Sequence, residues 1–241
     1  MTDPASGPAP AGGWHRAVVE AVSHPSDHAV VLRLRVPDRV DHLPGQHYVV
    51  RLTADDGYVA QRSYSVASPP SDPAVELWVE RLEDGEVSTF LADEVLVGDE
   101  LDVRGPIGGW FVWDATGPAV GIAGGSGAVP LVAMLRHAAD AGRTDLLHLA
   151  VAARTWADVP YGDELAEAGA VVALSREAYG ARAAARLAAA EVADVAAAAL
   201  TGDATCFVCG SAAFAEAAGE LLVSAGVPAG RIRVERFGPS G

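Results

Sequence analysis

The chain has 241 residues, half of them hydrophobic, and 32 acidic against 17 basic side chains give it a net charge of −15. This length holds two modest domains or one large one, and the composition is that of a globular protein with a real core. The negative charge argues against nucleic acid, and no apolar run reaches the roughly 18–20 residues of a transmembrane helix, so no membrane partner is expected. Met1 to Gly13 is rich in Pro, Ala and Gly, which reads as a disordered tail and not a signal peptide; a cytoplasmic protein is the expectation. Short strands split by turn residues follow at Arg16–Val22, Ala29–Val36, Gln46–Leu52, Val59–Val66, Val75–Leu82 and Glu100–Arg104, with one helical interruption at Val87–Val95. Six strands at this spacing predict an antiparallel barrel or sandwich over residues 14–113.

After Gly117-Pro118 the rhythm becomes strand–helix–strand. Strands are predicted at Ala119–Ala123, Leu146–Ala152, Ala170–Leu174, Cys206–Val208 and Arg231–Glu235. Helices are predicted at Pro130–Ala141, Gly162–Ala168, Ala181–Leu200 and Ala212–Ala225. Such alternation implies a doubly wound parallel α/β sheet over residues 118–241, with the change of domain around 114–118.

All basic residues are arginine, which excludes Schiff-base lysine chemistry and a lysine-containing phosphate loop. The two cysteines, Cys206 and Cys209, form a C-x-x-C that could be a redox pair or half a metal site. Three residues apart on a strand they point to opposite faces, and no second pair completes a zinc or iron–sulfur set, so no metal is expected. Three segments carry chemistry. Gly121-Ile122-Ala123-Gly124-Gly125-Ser126-Gly127-Ala128-Val129-Pro130 joins a strand to a helix, where backbone amides can approach a pyrophosphate. Arg62-Ser63-Tyr64-Ser65 alternates a cation and an aromatic ring on one strand face with two hydroxyls on the other. In Gly85-Glu86-Val87-Ser88-Thr89, Ser88 and Thr89 could cap a helix whose amides meet a second phosphate.

In this order, and with Pro44-Gly45-Gln46, Gly105-Pro106-Ile107-Gly108, Ala153-Arg154-Thr155, Ser175-Arg176-Glu177, Val208-Cys209-Gly210 and Glu235-Arg236-Phe237-Gly238, the chain resembles the ferredoxin–NADP reductase superfamily. It is most similar to the FAD-containing reductase components of bacterial oxygenases, without their fused ferredoxin domain, whose cluster needs four cysteines. The resemblance implies a flavin-binding six-stranded barrel and an NAD(P)-binding α/β domain. It implies that Arg62 pairs with the flavin diphosphate, Tyr64 packs on the ring, Ser65 bonds near N5, and Ser63, backbone groups from Val79 to Arg81, and Gly85, Val87, Ser88 and Thr89 hold the rest of FAD. Gly124, Gly125, Ser126, Gly127 and Pro130 would cradle the nicotinamide nucleotide, with Arg154 nearby. Cys209 and Gly210 would border the nicotinamide, and Glu235 and Phe237 would close the flavin pocket. Tyr64, Ser65, Cys209 and Glu235 are thus the candidate catalytic residues.

The implied reaction carries hydride from NADPH, or NADH, to FAD and electrons on to a separate acceptor protein such as a ferredoxin or an oxygenase. Free-standing flavin or quinone reduction, and a non-catalytic flavin-binding regulatory subunit of the same fold, are the alternatives. Ser175 and Arg176 favour the 2′-phosphate of NADPH, with Arg182 or Arg186 as a second cation, while Glu177 could instead take ribose hydroxyls.

Overall fold

A computed structural model of the chain describes residues 13–200 and 202–237. Apart from Gly13, the expected N-terminal tail lies outside these residues, as does Gly238. The chain divides between Gly109 and Trp110. This is ahead of the change expected near 114–118, because Phe111, Trp113 and Ala115 are buried in the core of the second unit.

The first unit is a six-stranded antiparallel sheet: β1 (Trp14–Ser26), β2 (Ala29–Arg35), β3 (His47–Thr53), β4 (Val59–Ser65), β5 (Val75–Glu80) and β6 (Glu100–Ile107), in the order β4-β3-β6-β1-β2-β5. Period-two patterning sends Val30, Leu32 and Leu34 of β2 and Val75, Leu77 and Val79 of β5 into one core, with Tyr48 and Val50 of β3. Register shifts in β1 between Val19 and Ala21, and between Ser23 and Ser26, bend this long strand as β-bulges do. Just past β4, Val66 bridges Leu77 of β5 and the Ala67 amide donates to the Glu76 carbonyl at 2.8 Å. Helix α1 (Glu86–Asp93) buries Val87 and Leu91 against the same core. Beyond β4 the chain is tied down by polar contacts. Arg33 holds Asp72 at 2.8 Å and Glu76 at 3.0 Å, and the Ser68 hydroxyl donates to the Ala74 carbonyl at 3.0 Å.

The second unit is a parallel sheet of β7 (Ala119–Gly124), β8 (Leu147–Ala153), β9 (Val171–Leu174), β10 (Thr205–Ser211) and β11 (Ile232–Phe237), in the order β11-β10-β7-β8-β9. Helices α2 (Val129–Asp140) and α3 (Gly162–Glu167) bury Leu131, Met134 and Leu165 on one face with Phe207 and Cys209. Helices α4 (Ala189–Leu200) and α5 (Ala212–Ser224) bury Val192, Ala196 and Leu222 on the other with Cys206 and Val208. The helix expected over Ala181–Leu200 therefore starts eight residues late. Arg182 pairs with Glu191 at 2.6 Å and donates to the carbonyls of Ala185 and Arg186, while Glu191 accepts the Ala188 amide at 2.7 Å. Those bonds hold residues 182–188 outside a helical ladder despite their alanine content, as side-chain capping overrides propensity. Among the described residues, no helix is long and apolar enough to cross a membrane.

Candidate functional site

Hydrogen-bond parity shows which parts of the first sheet are open. The Val66 amide donates to the Gln46 carbonyl at 3.0 Å. In an antiparallel ladder this directs the main-chain groups of Tyr64 toward Tyr48, and those of Ser63 and Ser65 away from β3. On β5 the Arg81 amide donates to the His28 carbonyl at 2.8 Å, so Val79 faces Val30, and Glu80 turns its main chain away from β2. Because β4 and β5 pair only from the Val66–Leu77 bridge onward, where the Ala67 amide donates to the Glu76 carbonyl at 2.8 Å, Ser63 and the Ser65 amide on one side and Glu80 on the other present polar backbone to an open edge. Within the run Val79 to Arg81, whose backbone was expected to hold the cofactor, Glu80 is the residue whose main chain faces this edge. Val79 and Arg81 face β2, and the Arg81 guanidinium is held by Asp93 at 2.9–3.0 Å.

The side chains of β4 complete this edge. Ser65 is buried, and its hydroxyl has no hydrogen-bond partner. The Tyr64 hydroxyl is likewise buried and unpartnered, and burial pushes its phenol well above the usual range. Arg62, on the Tyr64 face, is exposed and donates to the Gln61 carbonyl at 2.8 Å, with no carboxylate partner among the described residues. An unpartnered hydroxyl, an aromatic ring and an open row of amides and carbonyls fit a flat heterocycle edged with nitrogen and oxygen, and Arg62 fits its phosphate. The motifs Pro44-Gly45-Gln46 and Gly105 to Gly108 are brought together here: the Gln46 side-chain amide donates to the Gly108 carbonyl, and His47 lies opposite Ile107.

At α1 the expected capping does not occur. The Ser88 hydroxyl donates to the Gly85 carbonyl and accepts the Leu82 amide, both at 3.2 Å, and the Thr89 hydroxyl donates to the Leu82 carbonyl at 3.1 Å. Gly85 is the N-cap and offers no side chain, so the first-turn amides of Glu86 and Val87 stay without one. A phosphate here would meet main chain, beside a cavity of about 450 Å³ lined by Glu83, Asp84, Gly85, Glu86, Thr89 and Phe90.

In the second unit β7 starts the strand order in one direction and β10 continues it in the other, so their carboxyl ends flank the topological switch point. Gly124 ends β7, and Gly125 to Ala128 form a 3-10 turn into α2, with Pro130 in its first turn. A side chain on Gly124 would meet the Phe214 ring at 2.7 Å, and one on Gly127 would overlap the Cys209 carbonyl. The absent side chains let the two strand ends approach closely. β10 runs on past its expected end and places Cys209 and Gly210 within the strand, opposite Glu235 and Arg236. Cys206 and Cys209 are free thiols on opposite faces of the sheet. Burial, reinforced by Glu235, pushes the Cys209 thiol up. Glu235 has a buried oxygen without a partner, and desolvation lifts its carboxyl to about 7. Phe237 packs on the Cys209 side of the core.

At the carboxyl ends of β8 and β9, Arg154 and Arg176 are both exposed, and the Arg176 amide donates to the Arg154 carbonyl at 2.9 Å. Arg154 lies 3.7 Å from Asp158, whereas Arg176 and the exposed Ser175 beside it have no carboxylate partner among the described residues. Glu177 is committed elsewhere, accepting the Trp156 amide, and Trp156 stacks on Tyr179 with ring centroids 4.8 Å apart. Arg182 is also unavailable, held by Glu191. The aromatic stack, the Glu177 bond and the position of His47 were invisible in the sequence, because each depends on which strand ends become neighbours.

Residues 17–112 match the oxidoreductase FAD-binding domain and residues 122–220 the oxidoreductase NAD-binding domain. The chain is 34% identical, over 158 residues, to the reductase component of propane 2-monooxygenase from Mycolicibacterium goodii, covering 64% of this chain and 44% of that one. It is 28% identical to the ferredoxin–NAD(P)(+) reductase component of the naphthalene 1,2-dioxygenase/salicylate 5-hydroxylase systems of Ralstonia sp, covering 94% of this chain and 70% of that one. A solved ferredoxin NADP+ reductase from Neisseria gonorrhoeae with bound FAD and NADP shares the fold, with a TM-score of 0.77 at 18% identity, over 92% of this chain and 98% of that one. The chain spans less than half the length of the propane monooxygenase reductases it matches.

Proposed function

Since the chain belongs to the oxidoreductases that join an FAD-binding domain to an NAD-binding domain, we propose that it oxidises NADPH and passes the electrons through FAD to a separate acceptor protein, a ferredoxin or an oxygenase component. The open β4 edge, with the unpartnered Ser65 hydroxyl, is the observation that carries this reading. FAD, when bound, supplies the exchange of an electron pair for single electrons. On this chain's side, Ser63, Ser65 and Glu80 would bind the ring edge, and Tyr64 would pack on it. Arg62 and the first turn of α1 would take the phosphates. The glycine turn from Gly124 to Gly127 would take the nucleotide pyrophosphate, and Cys209 and Glu235 would lie by the nicotinamide.

The preference for NADPH rests on Ser175 and Arg176, both exposed, and on the commitment of Glu177 to the Trp156 amide, which removes the acid that would favour a free ribose. A cytoplasmic location is supported by two unbridged thiols and by a nucleotide substrate made inside cells. The net charge of −15 favours an acceptor whose docking face is basic. Anaerobic addition of NADPH to the purified yellow protein should bleach the flavin band, and reoxidation by an acceptor protein should outpace that by free flavin. A flavin band unchanged by either nucleotide would overturn the enzyme reading, and faster transfer to free flavin would mark a free-standing flavin reductase.

A further inference from the structure

The connection from β4 to β5 is tied to the loop ahead of β3 by buried polar groups. His42 is 1% exposed and Ser68 is fully buried. The His42 ring places Nε2 2.8 Å from the Ser68 carbonyl and Nδ1 3.4 Å from the Arg39 guanidinium. A carbonyl only accepts and a guanidinium only donates, so Nε2 carries the ring proton and Nδ1 is bare. Both neighbours therefore require the neutral imidazole. Arg39 reaches on to the carbonyls of Pro70 and Asp72. The Ser68 hydroxyl closes the same turn, donating to the Ala74 carbonyl and accepting the Glu76 amide, both at 3.0 Å. At the root of this turn lie the Val66–Leu77 bridge and the Ala67–Glu76 bond, directly after Ser65. Burial, and after it the Arg39 charge, lower the basicity of His42 from its ordinary 6.5, against the pull of the Ser68 carbonyl, Asp41 and Asp72. Asp41 is largely solvated, and Asp72 is already paired with Arg33 at 2.8 Å.

We propose that Arg39 and His42 are positioning residues of the flavin site, which lock the β4–β5 connection while the ring is neutral and release it when the ring takes a proton; the inference rests on reading β4 as the flavin strand. A second proton on His42 goes to Nδ1, where it points at a cation 3.4 Å away. Arg39 then swings off, and its bonds to the Pro70 and Asp72 carbonyls go with it. The turn slackens where β4 meets β5, and the edge formed by Ser63, the Ser65 amide and Glu80 loses its fixed width. Because the flavin-holding form is the neutral one, affinity is full above the His42 titration and falls as pH drops through it, below 6.5.

The test equilibrates FAD-loaded protein at about pH 5 to 8, over the range where circular dichroism is unchanged, and measures free flavin by fluorescence of the ultrafiltrate. In wild type the dissociation constant should rise as pH falls, by up to about tenfold for each pH unit below the titration, the limit for one coupled proton. His42→Gln, whose amide can donate to the Ser68 carbonyl and accept from Arg39 without taking a proton, should lose this acid response. His42→Leu should hold flavin more weakly than His42→Gln at every pH. Arg39→Met, which removes the group the proton acts through, should also flatten the response. A readout independent of flavin comes from histidine NMR: the His42 resonance, assigned by its loss in His42→Gln, should titrate at higher pH in Arg39→Met than in wild type. An acid response kept in His42→Gln, none in wild type, or a His42 titration unmoved in Arg39→Met would overturn the role of this pair alone. Protein that holds no flavin at about pH 8 would overturn the reading beneath it as well.

Discussion

Replacing Glu235 with Gln should stabilise the protein, and by more in alkaline than in acid solution. The carboxyl is lifted from its ordinary 4.5 to about 7 by desolvation, with one oxygen buried and unpartnered. A raised carboxyl binds its proton more tightly folded than unfolded. Its contribution is therefore fully present below 4.5 and lost as pH climbs through 7. Each tenfold change in proton affinity is about 1.4 kcal/mol, so forcing the charge into the folded state costs at most about 3.5 kcal/mol. The side chain is only partly buried, and solvent screening reduces that to about 1–2 kcal/mol. The amide of Gln is nearly isosteric and carries no charge. Urea unfolding followed by tryptophan fluorescence should show Glu235→Gln ahead of wild type by about 1–2 kcal/mol at pH 8.5 and by clearly less at pH 5.5. An equal gain at both pH values, or a loss at pH 8.5, would show that the Glu235 carboxylate is well solvated or paired, and would refute the desolvation argument.

Tyr64→Ala should weaken flavin retention by about 1–3 kcal/mol through lost ring packing, while Ser65→Ala should spare retention and slow reduction; flavin content and stopped-flow reduction separate the two. Cys209→Ser should change the rate of flavin reduction more than nucleotide affinity, with Cys206→Ser, on the opposite sheet face, as the silent control; a reversed pattern would place the nicotinamide elsewhere. Arg176→Ala should cost NADPH roughly 1.5–3 kcal/mol in kcat/KM and leave NADH nearly unchanged; equal losses for both nucleotides would remove Arg176 from 2′-phosphate recognition.

Much of the architecture was legible because it rests on local pattern. The period-two run of β2, the change of rhythm after Gly117 and the glycine turn ahead of Pro130 each report a constraint contained in a few residues. Opposite faces for Cys206 and Cys209 followed from the same period. What escaped was whatever depends on register or on distant chain. Within the expected run Val79 to Arg81, a one-residue parity turns the Glu80 main chain to the open edge, and the His28–Arg81 bond reveals which residue it is. The Ala181–Leu200 stretch has helical composition throughout, yet Glu191 anchors Arg182 and sets the start at Ala189. Hydroxyls at Ser88 and Thr89 look like caps in sequence, but both turn back to Leu82. Glu177 looked free to bind ribose until Trp156 was found beside it.

The incomplete closure between β4 and β5 would also tie the protein's survival to its vitamin supply. An unpaired strand edge is a template for pairing with other chains, and among the described residues no strand pairs with this one ahead of the Val66–Leu77 bridge. A flavin seated along it would act as a shield, and free flavin at a hundredfold over its dissociation constant would add about 2.7 kcal/mol to the folded state. Cells short of riboflavin would then accumulate less of this protein, through aggregation and proteolysis, before any catalytic shortfall could be measured.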